Sequence, residues 1–174
     1  EKEHGYFFVG QHFNPANPLS HETTATEILE DFGVDLGAVI CTTGTGGTVS
    51  GISPILRSAI PDIQIIVTEP DESPMLSQGI GRKHRIMGTT PSFIPDTLDQ
   101  NAYDSIISVN ADDAIGITRR LAEEEGIFCG ISCGAAIVGM LEYAKQEEAK
   151  DKQLLAILAD TGERYLSTEL WTSI

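Results

Sequence analysis

The sequence predicts an α/β fold, a parallel twisted sheet flanked by helices. Two observations carry the prediction. Short β-rich runs alternate with segments of helical period, and turn residues are spread along the chain with no repeat, low-complexity stretch or charge block dividing it. A third observation is size: 174 residues with 41% hydrophobic content suffice for one globular domain with a real core. Fibrous and wholly disordered chains are thereby excluded.

The elements follow in order. A β-rich run at 6–9 opens the pattern. A helix over about 24–31 comes next, because Thr24 and Glu27 form a capping box and Gly33 supplies the stop. Strand 38–41 leads into a glycine-rich turn, helix 48–58 and strand 63–68. The stretch 69–103 is rich in Gly, Pro and Ser and lacks a period. A loop of that length inside a compact domain is usually functional, so it is expected to wall a ligand site. The alternation resumes with strand 105–109, helix 112–125, a short strand 127–129, helix 134–147 and strand 154–158. This order implies five or six parallel strands joined by helical crossovers.

Composition narrows the function classes. Lys plus Arg total 11 against 26 Asp plus Glu, a formal charge of -15. A polyanion would meet net repulsion, which argues against nucleic acid and anionic membrane as partners. The apolar runs are too short to cross a bilayer, and no charged head precedes an apolar stretch near residue 1. Cys41, Cys129 and Cys133 are too few for a disulfide framework and lack zinc-ligand spacing, so no metal site is expected and a reducing cytoplasm fits. The chain opens Glu1-Lys2-Glu3 without Met and is expected to belong to a longer protein.

The most informative segment follows strand 38–41: Thr42-Thr43-Gly44-Thr45-Gly46-Gly47-Thr48, then a helix. Glycines let the backbone approach a ligand, successive amides point inward, and the helix start adds partial positive charge. A nucleotide P-loop would need GxxxxGK[ST], and no lysine follows these glycines. A dinucleotide site gains some support from Glu69 at the end of the next strand, but the GxGxxG register fails at Val49 and at Thr48. A bare strand-to-helix turn would not need three glycines and four threonines. A phosphomonoester cup, with the Thr45 and Thr48 hydroxyls supplementing backbone donors, fits better.

Around that loop stand further motifs: Asn14-Pro15-Ala16-Asn17-Pro18, Ser50-Gly51, Glu69-Pro70 with Ser73-Pro74, Phe93-Ile94-Pro95 with Leu98-Asp99, Gly130-Ile131-Ser132-Cys133-Gly134-Ala135-Ala136, and Gly162-Glu163-Arg164-Tyr165-Leu166-Ser167-Thr168. In this order, over residues 11–168, they closely resemble the cysteine synthase family (O-acetylserine sulfhydrylase, with cystathionine β-synthase a close relative), fold-type II enzymes that use pyridoxal 5'-phosphate. The resemblance implies the large domain of such an enzyme with its N-terminal portion missing: 1–20 a remnant of the connection, 21–174 the C-terminal cofactor-binding α/β domain. It implies that Gly44, Thr45, Gly46, Gly47 and Thr48 bind the cofactor phosphate and that Ser132, at a strand end before a helix, hydrogen-bonds the pyridine nitrogen. A neutral hydroxyl there does not hold the ring protonated, which favours β-elimination over transamination. Gln11 matches a position near the substrate carboxylate.

Departures from the family pattern qualify the substrate. His12 stands where an aromatic is usual, and Thr90 and Pro91 replace small residues in Met87-Gly88-Thr89-Thr90-Pro91-Ser92 before Phe93. Cys133 reads as a small buried residue. The family's Schiff-base lysine lies in the portion not seen here, and none of Lys2, Lys83, Lys145, Lys150 and Lys152 sits in a matching motif. The chain by itself is therefore expected not to turn over. For the complete enzyme the resemblance implies cysteine formation from O-acetylserine and sulfide, a homodimer, and association with serine acetyltransferase. Cystathionine β-synthase, a serine/threonine dehydratase and a non-catalytic half-length binding protein are the alternatives.

Overall fold

A computed structural model describes residues 4–172. Its elements in chain order are α1 (Ala16–Ser20), α2 (Glu22–Phe32), β1 (Leu36–Thr42), α3 (Gly47–Ala59), β2 (Gln64–Pro70), α4 (Met75–Gln78), β3 (Ser105–Val109), α5 (Ala111–Glu124), α6 (Ile131–Tyr143), β4 (Gln153–Ala156) and α7 (Glu169–Thr172). Two short 3-10 turns, Glu147–Ala149 and Gly162–Tyr165, flank β4.

Four strands form one parallel sheet in the order β3-β2-β1-β4. The central strands β1 and β2 are buried almost along their length, as expected for strands covered on both faces. Side chains alternate between two cores. Val39, Cys41, Ile65 and Val67 pack with Ala25, Ile28, Val49, Ile52 and Leu56 of α2 and α3. Ala38, Ile40 and Ile66 face the other way, against Tyr143 of α6. A close approach sets α6 on the sheet: a Cβ at Gly139 would lie 2.3 Å from Thr68 Cγ2.

Several expected elements change. Residues 6–9 form no strand; Tyr6, Phe7, Phe8 and Val9 are exposed. The capping box at Thr24 does not form. The chain enters α2 directly from α1 through His21, so Thr24 lies inside the helix. Gly33, at φ 64°, does end that helix. Residues 127–129 provide only an isolated antiparallel bridge, Cys129 to Thr161, leaving four parallel strands rather than five or six. The helix expected over 134–147 starts earlier and stops at Tyr143, its N-cap being Gly130. Ser132 is therefore inside the first turn rather than at a strand end.

The loop 71–104 is irregular apart from α4, and polar anchors hold it in place. Arg85 pairs with Glu169 (2.8 Å) and Asp112 (2.7 Å), and its own N–H donates to Glu72. Asp104 receives the Arg57 guanidinium and the Ile65 N–H, closing the loop onto β2.

Candidate functional site

The carboxyl ends of the strands are where open parallel sheets place their ligands. There a cavity of about 420 Å³ is lined by Gln11, His12, Thr42, Gly44, Thr45, Thr48, Gly88, Thr89, Pro91, Ser132 and Ala159. Its size falls within the range of small-molecule sites. Five residues singled out from the sequence, Gln11, Gly44, Thr45, Thr48 and Ser132, meet in the lining of this one cavity. Gly46 and Gly47 lie in the same turn and are buried beneath it. The loop expected to wall the site contributes Gly88, Thr89 and Pro91.

The glycine turn is built for an external acceptor. Gly46 is the N-cap of α3 in the left-handed region, φ 77°, and no side chain caps the helix. First-turn amides have no carbonyl partner within the helix, so Thr48 and Val49 present theirs outward. Thr45 Oγ1 accepts from Asn17 Nδ2 (2.8 Å) and from the Gly47 N–H (3.2 Å). With its oxygen occupied twice, the Thr45 hydroxyl proton remains to be donated. Asn17 Nδ2 also donates to the Gln11 carbonyl (2.7 Å), and Thr97 Oγ1 donates to the Thr45 carbonyl (2.7 Å). Gly47 permits this approach, since a Cβ there would lie 2.0 Å from Asn17 Oδ1. Thr48 Oγ1 lies 3.3 Å from His21 Nε2. The uncapped helix start and the two oriented hydroxyls fit a phosphate group.

Across the cavity Ser132 is 5% exposed in the first turn of α6. Its neighbour Cys133 donates to Asp160 Oδ1 (3.2 Å), and Tyr165 donates its hydroxyl to Asp160 Oδ2, tying this turn to the chain after β4. Burial pushes the Cys133 thiol up, as it does Cys129, raised to about 12. Neither is a poised thiolate. His12 packs edge-on against Phe93, ring centroids 5.3 Å apart, beside Pro91 in the cavity lining. Sequence reasoning missed Asn17, His21 and Thr97. Asn17 stood in the Asn14–Pro18 motif and His21 in no motif, and nothing in their spacing shows which loop they meet.

Glu69 does not serve a ribose. It is 2% exposed, and its carboxylate accepts from the N–H groups of Leu76 (2.8 Å) and Ser77 (3.4 Å) and from the Ser77 hydroxyl. The dinucleotide reading loses its acid. Lys83, Lys145, Lys150 and Lys152 are exposed and none lines the cavity, while Lys2 lies outside the described residues.

Thr90 is strained. It takes φ 38°, unfavourable for a β-branched residue, while its N–H donates to the Thr43 carbonyl (2.5 Å) and its buried hydroxyl has no partner. Replacing it with glycine removes both penalties at some cost in unfolded-state entropy. The expected net gain is about 1 kcal/mol, a rise of roughly 2–4 °C in Tm by differential scanning calorimetry. A lower Tm for Thr90→Gly would contradict this.

Comparison with known proteins completes the picture. A family model described as pyridoxal-phosphate dependent enzyme matches residues 1–160. The chain is 47% identical over 174 residues to a cysteine synthase of Staphylococcus aureus, covering 99% of this chain and 56% of that protein. Among solved structures it superposes on O-ureido-L-serine synthase (TM-score 0.94, 41% identity, 99% of this chain and 55% of the other). It also superposes on O-acetylserine sulfhydrylase isoform 3 from Entamoeba histolytica (TM-score 0.95, 36% identity, 99% and 52%). The chain spans about half the length of the relatives it matches.

Proposed function

From its membership of the pyridoxal-phosphate dependent enzymes, the family to which this chain belongs, we propose that it forms the cofactor-phosphate half of an enzyme making cysteine from O-acetylserine and sulfide. The observation that carries this reading is the convergence of Gln11, Gly44, Thr45, Thr48 and Ser132 on one cavity. Residues 21–174 make up the cofactor-binding unit and 1–20 the connection to the rest.

In this reading the Thr45 and Thr48 hydroxyls and the amides at the start of α3 hold the phosphate. Ser132 offers a neutral hydroxyl to the ring nitrogen. Gln11 holds the substrate carboxylate, and the Thr89 to Pro91 segment with His12 and Phe93 limits the space for leaving group and nucleophile. Pyridoxal phosphate, when bound, supplies the electron-accepting ring that stabilises negative charge at the substrate α-carbon. The lysine that attaches the cofactor and moves the α-proton comes from a segment outside these residues. The complete enzyme is a homodimer, resides in the cytoplasm and associates with serine acetyltransferase. The strained, bulkier Thr90-Pro91 segment favours a second reading within the same chemistry, in which a nucleophile other than sulfide is used.

A pyridoxal phosphate titration of the chain tests the binding claim. The expected result is saturable, reversible binding, followed by absorbance and fluorescence, with no stoichiometric adduct trapped by borohydride. A stoichiometric trapped adduct on one of the five lysines, or no saturable binding, would overturn it.

A further inference from the structure

The two hydroxyls of the glycine turn have different supports. Thr45 is backed by an amide, Asn17, whereas Thr48 is backed by a titratable ring, His21. Resting on the reading of this turn as a phosphate site, we propose that His21 is a positioning residue that aims the Thr48 hydroxyl at the bound phosphate and takes up a proton when the phosphate binds.

The geometry gives the ring two anchors. Nε2 lies 3.3 Å from Thr48 Oγ1 at the start of α3, and Nδ1 lies 3.3 Å from Thr24 Oγ1 in α2. The backbone of α3 leaves room for it only because residue 51 is glycine: a Cβ there would come within 2.7 Å of the His21 Cβ. When Thr48 donates its proton to an anion, its oxygen must accept, so Nε2 carries hydrogen. In the neutral ring Nδ1 then accepts from the Thr24 hydroxyl; in the imidazolium it donates to the same oxygen, and the hydroxyl only turns. Both contacts survive either charge state, so the ring can gain a proton without rearrangement.

The electrostatics supply a direction. Without an anion, burial lowers the pKa of His21. A phosphate dianion one hydroxyl away would act against that lowering. No lysine or arginine lines the cavity among the described residues, so an imidazolium would be the nearest side-chain cation to the phosphate. The elements packed around His21 carry few charges of their own. Helix α1 has none; α3 has only Arg57, engaged by Asp104; and α2 carries Glu22, Glu27, Glu30 and Asp31, none of which contributes to the lowering. Because the bound state holds the proton more tightly than the free state, phosphate affinity rises as pH falls through the titration of His21.

The test is the affinity of the full chain for pyridoxal phosphate relative to pyridoxal, by equilibrium dialysis between about pH 8 and about pH 5.5, in wild type and His21→Gln. Glutamine keeps an N–H donor for Thr48 but cannot titrate. His12, which also lines the cavity, and the ligand's own phosphate ionisation are common to both proteins and cancel. At the alkaline end the two preferences agree within about twofold; toward acid the wild type gains, about tenfold for each unit by which phosphate lifts the His21 pKa. Superimposable pH profiles would overturn the role of His21 alone. A wild type that never prefers pyridoxal phosphate to pyridoxal would overturn the phosphate reading and the proposal with it. Proton NMR of wild type is independent of how the variant folds: inorganic phosphate should move the His21 titration to higher pH, and an unmoved titration would contradict the proposal.

Discussion

Replacing Gly46 with aspartate removes phosphate-dependent binding of pyridoxal phosphate, lowering the affinity by about a hundredfold or more. Three effects combine. Residue 46 holds φ 77°, where an L side chain costs about 1–2 kcal/mol. A Cβ there would lie 2.5 Å from Leu98 Cβ and 2.6 Å from Leu98 Cδ1, so the turn must move. The added carboxylate also brings a like charge to the helix start that the phosphate would occupy. Together they amount to about 3 kcal/mol, which is the hundredfold. Fluorescence titration reads the affinity, and a thermal melt separates it from loss of fold. Gly46→Ala, carrying strain without charge, should lose about tenfold. Wild-type affinity in Gly46→Asp would place the phosphate elsewhere.

The second large effect is on stability. Glu69→Ala leaves two N–H groups and a hydroxyl at α4 without their buried acceptor, and it empties a site that is 2% exposed. Orphaned buried donors of this kind cost about 2–4 kcal/mol in total. For a chain of this size that is a fall of roughly 5–10 °C in Tm. Calorimetry of Glu69→Ala beside Glu69→Gln reads it, with the glutamine, which keeps one acceptor, falling between alanine and wild type. A change below about 1 °C for alanine would show that the carboxylate does not hold α4.

The core of the sheet was legible because its signals are local. Strand β1, the glycine turn, α3 and β2 follow one another along the chain, each strand carrying a short apolar run, and β3 matches its expected limits of 105–109. What failed depended on partners far away in sequence. The aromatic run 6–9 has the composition of a strand, but composition says nothing about whether an edge is there to pair with, and these side chains are exposed. Residues 127–129 enter the sheet nowhere: their single β-type pairing among the described residues is an antiparallel bridge from Cys129 to Thr161. The Thr24–Glu27 pair has the spacing of a capping box, yet α1 runs straight into α2 and leaves no free N-terminus to cap. Helix α1 itself is five residues, with Pro15 at its N-cap and Pro18 inside it, too short for any period to show.

The site divides along the same line. The glycine turn is contiguous, so its glycines and threonines stand out in the sequence. Ser132 and Gln11 came through family resemblance, and the structure brings them to the same cavity. Asn17, Thr97 and His21 act across gaps of 28, 52 and 27 residues, distances over which sequence carries no spacing signal. The loop replacement at Thr90 and Pro91 could be seen as unusual, but its strain is visible only in the backbone.

The central claim, that this chain is the phosphate-binding half of a cysteine-forming enzyme, is tested most directly by complementation. The chain is combined with the segment of the Staphylococcus aureus cysteine synthase that it does not span, and cysteine formation from O-acetylserine and sulfide is measured with pyridoxal phosphate present. The account predicts turnover by the pair, none by either part alone, and none by a pair carrying Gly46→Asp. Turnover by this chain alone, or undiminished turnover with Gly46→Asp, would contradict it.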